Sequence, residues 1–270
     1  MQNKVEKILN SDYIVSFGSF LAQDNEFVKE AIIESIAKKS SEFIYMHPVD
    51  NVDIKVYYSQ FIKYEVGSEE GIATMLLDTF VKNPSEEIKA YLNDLDMGYI
   101  SAESSAGEEE FEEAKEKEEE KTSKCLLVGR DITTHERVEN IIKILAALKK
   151  YSDLEIICLD EKTQEAVDAC LDENLEEVEE LHSYNGTVVY TIFDQEACQK
   201  LVGSQSFAKI AKIQDKDEVY LNFEGQRLKK QFIINKDLYG TIALCPIEKE
   251  NISFLVEGYR YKQVGIEKAE

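Results

Sequence analysis

Asp12-Tyr13-Ile14-Val15-Ser16-Phe17-Gly18-Ser19-Phe20 decides the fold. A short apolar run that ends in glycine reads as a buried strand followed by a turn. A matching opening recurs at Cys125-Leu126-Leu127-Val128-Gly129, and each of the two is followed by helical periodicity. After the first, Phe27, Ala31, Ile32 and Ile36 form an apolar stripe on a helix expected from about Asp24. After the second, a capping box Thr133-x-x-Glu136 opens a helix with Val138, Ile141, Ile142, Leu145 and Leu148 inward.

The pattern continues between and beyond these openings. Strands are expected at residues 43–46, stopped by His47-Pro48, and at residues 61–66. Gly67-Ser68 turns the chain into a helix carrying Ile72, Met75, Leu76 and Phe80, and Asn83-Pro84 starts another with Ile88, Tyr91, Leu92 and Leu95. Residues 154–159 read as a strand, residues 161–174 as an acidic helix, and residues 187–193 as a further strand. From Phe207 onward the character becomes β: Val219, Leu221 and Phe223 alternate, Glu224-Gly225 turns, and residues 232–234 and 241–245 supply more strands.

The fold class is therefore α/β, with two Rossmann-like βαβ halves forming a mainly parallel sheet and a small C-terminal β unit. The expected boundaries are residues 1–100 for the first α/β unit, 124–203 for the second and 204–270 for the β unit. Residues 101–123 divide the halves. Ten glutamates and three lysines there surround one large apolar residue, Phe111, which reads as a solvated helix or a disordered linker.

Charge narrows the function classes. Among 270 residues, 54 acidic against 31 basic side chains give a formal net charge of -23, which repels phosphate backbones and anionic lipid head groups. Nucleic acid and direct membrane insertion are poor expectations; a basic protein surface is a good one. No apolar run approaches bilayer length, and Met1-Gln2-Asn3-Lys4-Val5-Glu6 lacks the plan of a signal peptide. The five cysteines are odd in number and widely spaced, as expected of reduced thiols in a cytoplasmic protein.

The motifs carry little chemistry. His135, Glu136 and Glu139 approach the H-E-x-x-H zinc pattern, but Glu139 stands where the second histidine belongs. His47 and His182 stand alone, no cysteine pair has cluster spacing, and no nucleophile signature is present. No catalytic residue and no metal site is expected. Gly18 and Gly129 follow strands but lie in neither G-x-G-x-x-G nor a P-loop. Open α/β sheets hold ligands at the C-terminal ends of their strands. If this one holds a nucleotide or flavin, Gly18, Ser19, Gly67 and Gly129 are the residues to hold it; otherwise no cofactor is expected.

Ser11-Asp12-Tyr13-Ile14-Val15-Ser16-Phe17-Gly18-Ser19, then Ile44-Tyr45-Met46-His47-Pro48, then Tyr64-Glu65-Val66-Gly67-Ser68-Glu69 resemble, in order and spacing, the molybdopterin-oxidoreductase family. Its members follow an A-D-Y-I-L-x-x-G-S strand with a strand ending in D-P-R and a G-T-D helix entry. Leu126-Leu127-Val128-Gly129-Arg130-Asp131 and Arg137-Val138-Glu139-Asn140-Ile141 are similar to the cofactor-free region of that type in the large iron–sulfur subunit of bacterial NADH-quinone oxidoreductase, respiratory complex I. Residues 207–246 are similar to the family's C-terminal β-barrel in reduced form.

The aspartate and arginine of D-P-R are replaced by His47 and Val49, and the glycine-rich, metal-ligating and cluster-cysteine segments are absent. The resemblance implies a reduced, cofactor-free scaffold. Its expected role is a non-catalytic subunit or accessory module in the peripheral arm of a complex I type oxidoreductase. Its expected partners are other subunits of that complex, with docking of a soluble electron-donor protein as a variant. The alternative is a dinucleotide- or flavin-binding α/β protein.

Overall fold

The structure is a computed structural model that describes residues 2–21, 25–182, 184–248 and 258–269. It divides into two compact units, Met1–Pro48 with Asp53–His182, and Val49–Val52 with Ser183–Glu270.

In the first unit, β1 (Tyr13–Phe17), β2 (Glu42–Met46), β3 (Gln60–Ile62), β4 (Lys124–Val128) and β5 (Leu154–Cys158) form one sheet. Its order is β3-β2-β1-β4-β5 and every pairing is parallel. The apolar runs are continuous because both faces of the sheet are covered. Tyr13, Val15 and Phe17 meet one core, and Ile14, Phe43 and Tyr45 the other. Helices α1 (Gln2–Asn10) and α2 (Glu26–Lys39) supply Ile8, Val28, Ala31 and Ile32 to the second core. On the opposite face lie α3 (Glu69–Phe80), α4 (Glu86–Asp94), α5 (Met97–Ser104), α6 (Glu108–Glu118), the short α7 (Arg130–Thr133), α8 (Val138–Tyr151) and α9 (Glu161–Ala169).

Several sequence expectations change here. The two βαβ halves do join in one parallel sheet, since β1 pairs with both β2 and β4, but the second ends at His182 rather than at residue 203. Residues 101–123 are not a linker. Helix α6 turns Phe111 and Ala114 into the sheet's core, Tyr13 Oη donates to the Ala114 carbonyl at 2.7 Å, and buried Glu118 pairs with Lys124 and with Lys115 at 3.2 Å. Two apolar residues three apart make a narrow stripe, which suffices because the lysine-paired glutamate completes the buried face.

Smaller differences have local causes. The expected helix start at Asp24 lies outside the described residues; Asn25 caps α2 by accepting from Val28 N, and Phe27 faces solvent at 68% exposure while Val28 is buried. Thr133 does not open a capping box, because its hydroxyl donates to Arg130 O at 2.8 Å and closes α7. The acidic helix ends at Ala169, and among the described residues no helix or strand follows until β6. Helix α1 was not legible as an element beforehand.

In the second unit, β6 (Val188–Phe193), β7 (Lys200–Gly203), β8 (Glu218–Phe223), β9 (Gln226–Ile234), β10 (Ile242–Ile247), β11 (Tyr261–Gln263) and β12 (Gly265–Lys268) form a curled mixed sheet ordered β11-β6-β10-β7-β9-β8-β12. Helix α10 (Gln205–Ala211) packs Phe207 against Phe232, Val219 and Ala243. The β unit therefore begins before residue 204: β6 runs parallel to β10, Val188 opposite Ile242, and has no partner in the first sheet. At the β8–β9 turn Glu224 and Gly225 both take positive φ, 47° and 78°, as a two-residue hairpin turn requires.

Cys125, Cys158 and Cys245 are buried free thiols, pushed up to about 12, about 12 and about 11 by burial. Among the described residues no helix is long and apolar enough to cross a membrane.

Candidate functional site

The strand order reverses between β1 and β4, the point at which an open parallel sheet forms its crevice. Phe17 lies opposite both Met46 and Val128, so the residues that follow these strands converge. The structure brings Gly18, Ser19 and Gly129 together there. A Cβ on Gly129 would lie 2.0 Å from Gly18 O and 2.5 Å from Ser19 Cβ. Gly18 has φ +66°, and a Cβ there would meet Ile132 Cδ1 at 2.8 Å.

Three backbone N–H groups at this point are engaged by the chain itself. Gly18 N donates to Met46 O at 3.3 Å, Gly129 N to Phe17 O at 2.8 Å, and Asp131 N to Gly18 O at 3.1 Å. A phosphate-binding turn needs such N–H groups aimed at the ligand. Here they close the crevice.

Buried side chains gather beside it. His47 Nε2 lies 3.1 Å from Asp131 Oδ2, and both side chains are wholly buried. The Tyr45 ring stacks on the imidazole at 5.6 Å and Phe20 packs beside it at 5.6 Å. The two residues come from the ends of β2 and β4, 84 positions apart, and spacing in the sequence gave no signal that they meet. The Tyr64 phenol is buried nearby; burial first, then the carboxylates of Glu69 and Asp131, pushes it well above its ordinary range. The buried hydroxyls of Ser16, Ser19 and Tyr64 have no hydrogen-bond partner among the described residues.

Gly67 lies elsewhere, at the mouth of a separate cavity of 190 Å³. His135 Nδ1 accepts from Arg137 N at 3.0 Å, which leaves Nε2 as the protonated nitrogen; it donates to Gly67 O at 3.0 Å. Burial holds this imidazole below its ordinary pKa, against the Gly67 hydrogen bond, which acts to raise it. Both nitrogens of the His135 ring are thus engaged, and no group of three potential metal ligands gathers among the described residues.

The cavity is roofed by the extended chain after α9. Buried Glu70 fastens that chain: its Oε1 accepts from Asn140 Nδ2 at 2.7 Å and Arg137 Nε at 3.1 Å, and its Oε2 accepts from Glu179 N at 3.2 Å. Asn140 also accepts from Glu176 N at 2.9 Å. Leu95, Tyr99, Ile100, Val178 and Leu181 supply the apolar lining. Asp94, Glu103, Glu136, Glu177 and Glu180 stand around it. His182, which stood alone in the sequence, lines the same cavity.

No protein-family profile matches the chain, and no curated protein sequence matches it.

Proposed function

We propose that this chain is a non-catalytic, protein-binding scaffold in the peripheral arm of a complex I type NADH-quinone oxidoreductase, on the cytoplasmic side. The observation that carries the reading is the crevice between β1 and β4. The sheet has the strand order that elsewhere frames a dinucleotide site, yet its turn N–H groups and its volume are taken by the chain's own backbone, Ile132 and the His47–Asp131 pair. His47 belongs to that plug and stands where the family's D-P-R aspartate would be. A fold kept while its pocket is filled by packing serves best as a surface, and a net charge of -23 selects basic neighbours.

The test is purification of the tagged chain from its native cell. Recovery of quinone-oxidoreductase subunits in fixed ratio is the expected result. Recovery of the chain alone, with quinone-reductase activity unchanged when its gene is deleted, would overturn it.

One observation favours the alternative of a bound dinucleotide or flavin: the unpartnered hydroxyl of Ser19 beside Gly18 and Gly129. A thermal-shift series with NADH, FMN, FAD and GTP separates the two readings. Saturable stabilisation by one of them favours the alternative.

A further inference from the structure

Two groups of acidic residues in the first unit differ in their partners. Those that face α8 are paired: Asp172 with Lys143 at 3.1 Å, Glu176 with Arg137 at 2.9 Å, Glu179 with Arg137 at 3.1 Å, and Glu173 with Lys150. Of those that line the cavity, Glu70, Asp96 and Glu179 are engaged and five are not. None of the carboxylates of Asp94, Glu103, Glu136, Glu177 and Glu180 enters an ion pair or accepts a hydrogen bond among the described residues. Arg137 is the one arginine or lysine among the lining residues, and it is committed to Glu70, Glu176 and Glu179.

The ring of charge surrounds an apolar and aromatic hollow. Tyr99 stands at its edge with half of its surface open, 50%, over Leu95, Ile100, Val178 and Leu181. Burial, followed by Glu103 and Glu180, pushes the Tyr99 phenol above its ordinary pKa, so these carboxylates act on the ring's own position. At 190 Å³ the hollow is smaller than the roughly 300–1,000 Å³ of sites that enclose drug-sized ligands. It suits one side chain.

We infer that this cavity is a socket for an arginine side chain presented by a partner protein. The inference rests on the scaffold reading and names the chemistry of its partner. An arginine answers each feature. Its aliphatic stem covers the apolar lining, its planar guanidinium stacks on the Tyr99 ring, and its five N–H donors reach several of the open carboxylates at once. Lysine supplies a point charge with no plane to stack, so it fits less well. The overall acidity steers such a partner inward, and the five unpaired carboxylates fix where it lands.

The test is a ¹H–¹⁵N NMR titration of the full chain with the acetylated, amidated pentapeptide Gly-Leu-Arg-Leu-Gly and with its lysine and citrulline counterparts. The expected result is saturable shifts at the Tyr99 and Leu181 amides with the arginine peptide, weaker binding of the lysine peptide and none of the citrulline peptide. Tyr99→Ala should lower the affinity about tenfold, the size of a partly desolvated cation–π contact, with the melting temperature unchanged. Glu103→Gln combined with Glu180→Gln should act the same way.

Arginine and lysine peptides binding alike, with no effect of Tyr99→Ala, would mean diffuse attraction and overturn the socket. So would an absence of saturable shifts. If those failures occur while the chain still co-purifies with oxidoreductase subunits, the socket falls and the scaffold reading stands; site-specific binding by a chain that purifies alone has the reverse meaning.

Discussion

Two hollows of the parallel-sheet unit invite comparison: the crevice between β1 and β4, and the cavity beside Tyr99. The first lies where strand order puts a ligand, and the chain has closed it with backbone hydrogen bonds, Ile132 and a buried histidine–aspartate pair. The second is lined by helices and by chain after α9 that belongs to no helix or strand, and five of the carboxylates around it have no partner among the described residues. The contrast separates topology from chemistry. A fold specifies where room for a ligand arises, and the side chains decide whether that room is used for stability or left for a partner.

If the crevice is a structural plug, breaking it should cost folding. Gly129→Ala should have the largest effect, because its Cβ would sit 2.0 Å from the Gly18 carbonyl oxygen, a backbone atom that cannot step aside. A loss of about 4 kcal/mol or more is expected, measured by urea denaturation, and near wild-type stability would show that the two turns do not pack as described. Asp131→Ala leaves His47 buried without this carboxylate and should lower stability by about 3 kcal/mol in the same assay.

The cavity should respond differently. Glu70→Gln places an amide where Asn140, Arg137 and the Glu179 N–H all donate. It should cost about 1–3 kcal/mol, with faster hydrogen exchange concentrated around residues 176–181. Uniformly faster exchange would deny Glu70 its fastening role.

The smallest effect is one of pH. The folded His135 has a pKa lowered from 6.5, chiefly by burial. Just below pH 6.5 the unfolded chain therefore binds a proton that the folded chain refuses, and stability is lost as pH falls through that window. Melting temperatures of the wild type and His135→Gln should converge as pH drops from 7 towards 5, and parallel curves would rule this contribution out.

The strands were legible where burial wrote itself as an apolar run: residues 13–17 and 125–128 read directly as the centre of the sheet, and the Glu224-Gly225 turn followed from its residue types. What failed was assignment of partners. Residues 188–193 have the same apolar look as the strands of the first sheet, and only pairing with residues 242–247 assigns them to the second. Phe111 stood out as the one large apolar residue among ten glutamates, but its burial together with Ala114 did not, because mean composition hides a two-residue stripe.

The candidate sites were less legible still. Gly18, Ser19 and Gly129 were found through their positions after strands, but their spacing does not tell a phosphate turn from two turns packed on each other. Tyr99 and its carboxylates come from three stretches, residues 94–103, 136 and 177–180, far apart in the sequence. In a sequence with 54 acidic residues, which five remain unpaired depends wholly on where the lysines and arginines fall in space.

The burial of Cys125, Cys158 and Cys245 sets the chemistry of the chain's sulfur. A thiol reacts as its thiolate, and these three are held protonated well into the alkaline range inside closed cores. Alkylating reagents and peroxide therefore meet only Cys170 and Cys198 while the chain is folded, both partly exposed. Each further sulfur that reacts reports a core that has opened, so the number of thiols labelled in a brief pulse is a count of how much of the protein has unfolded.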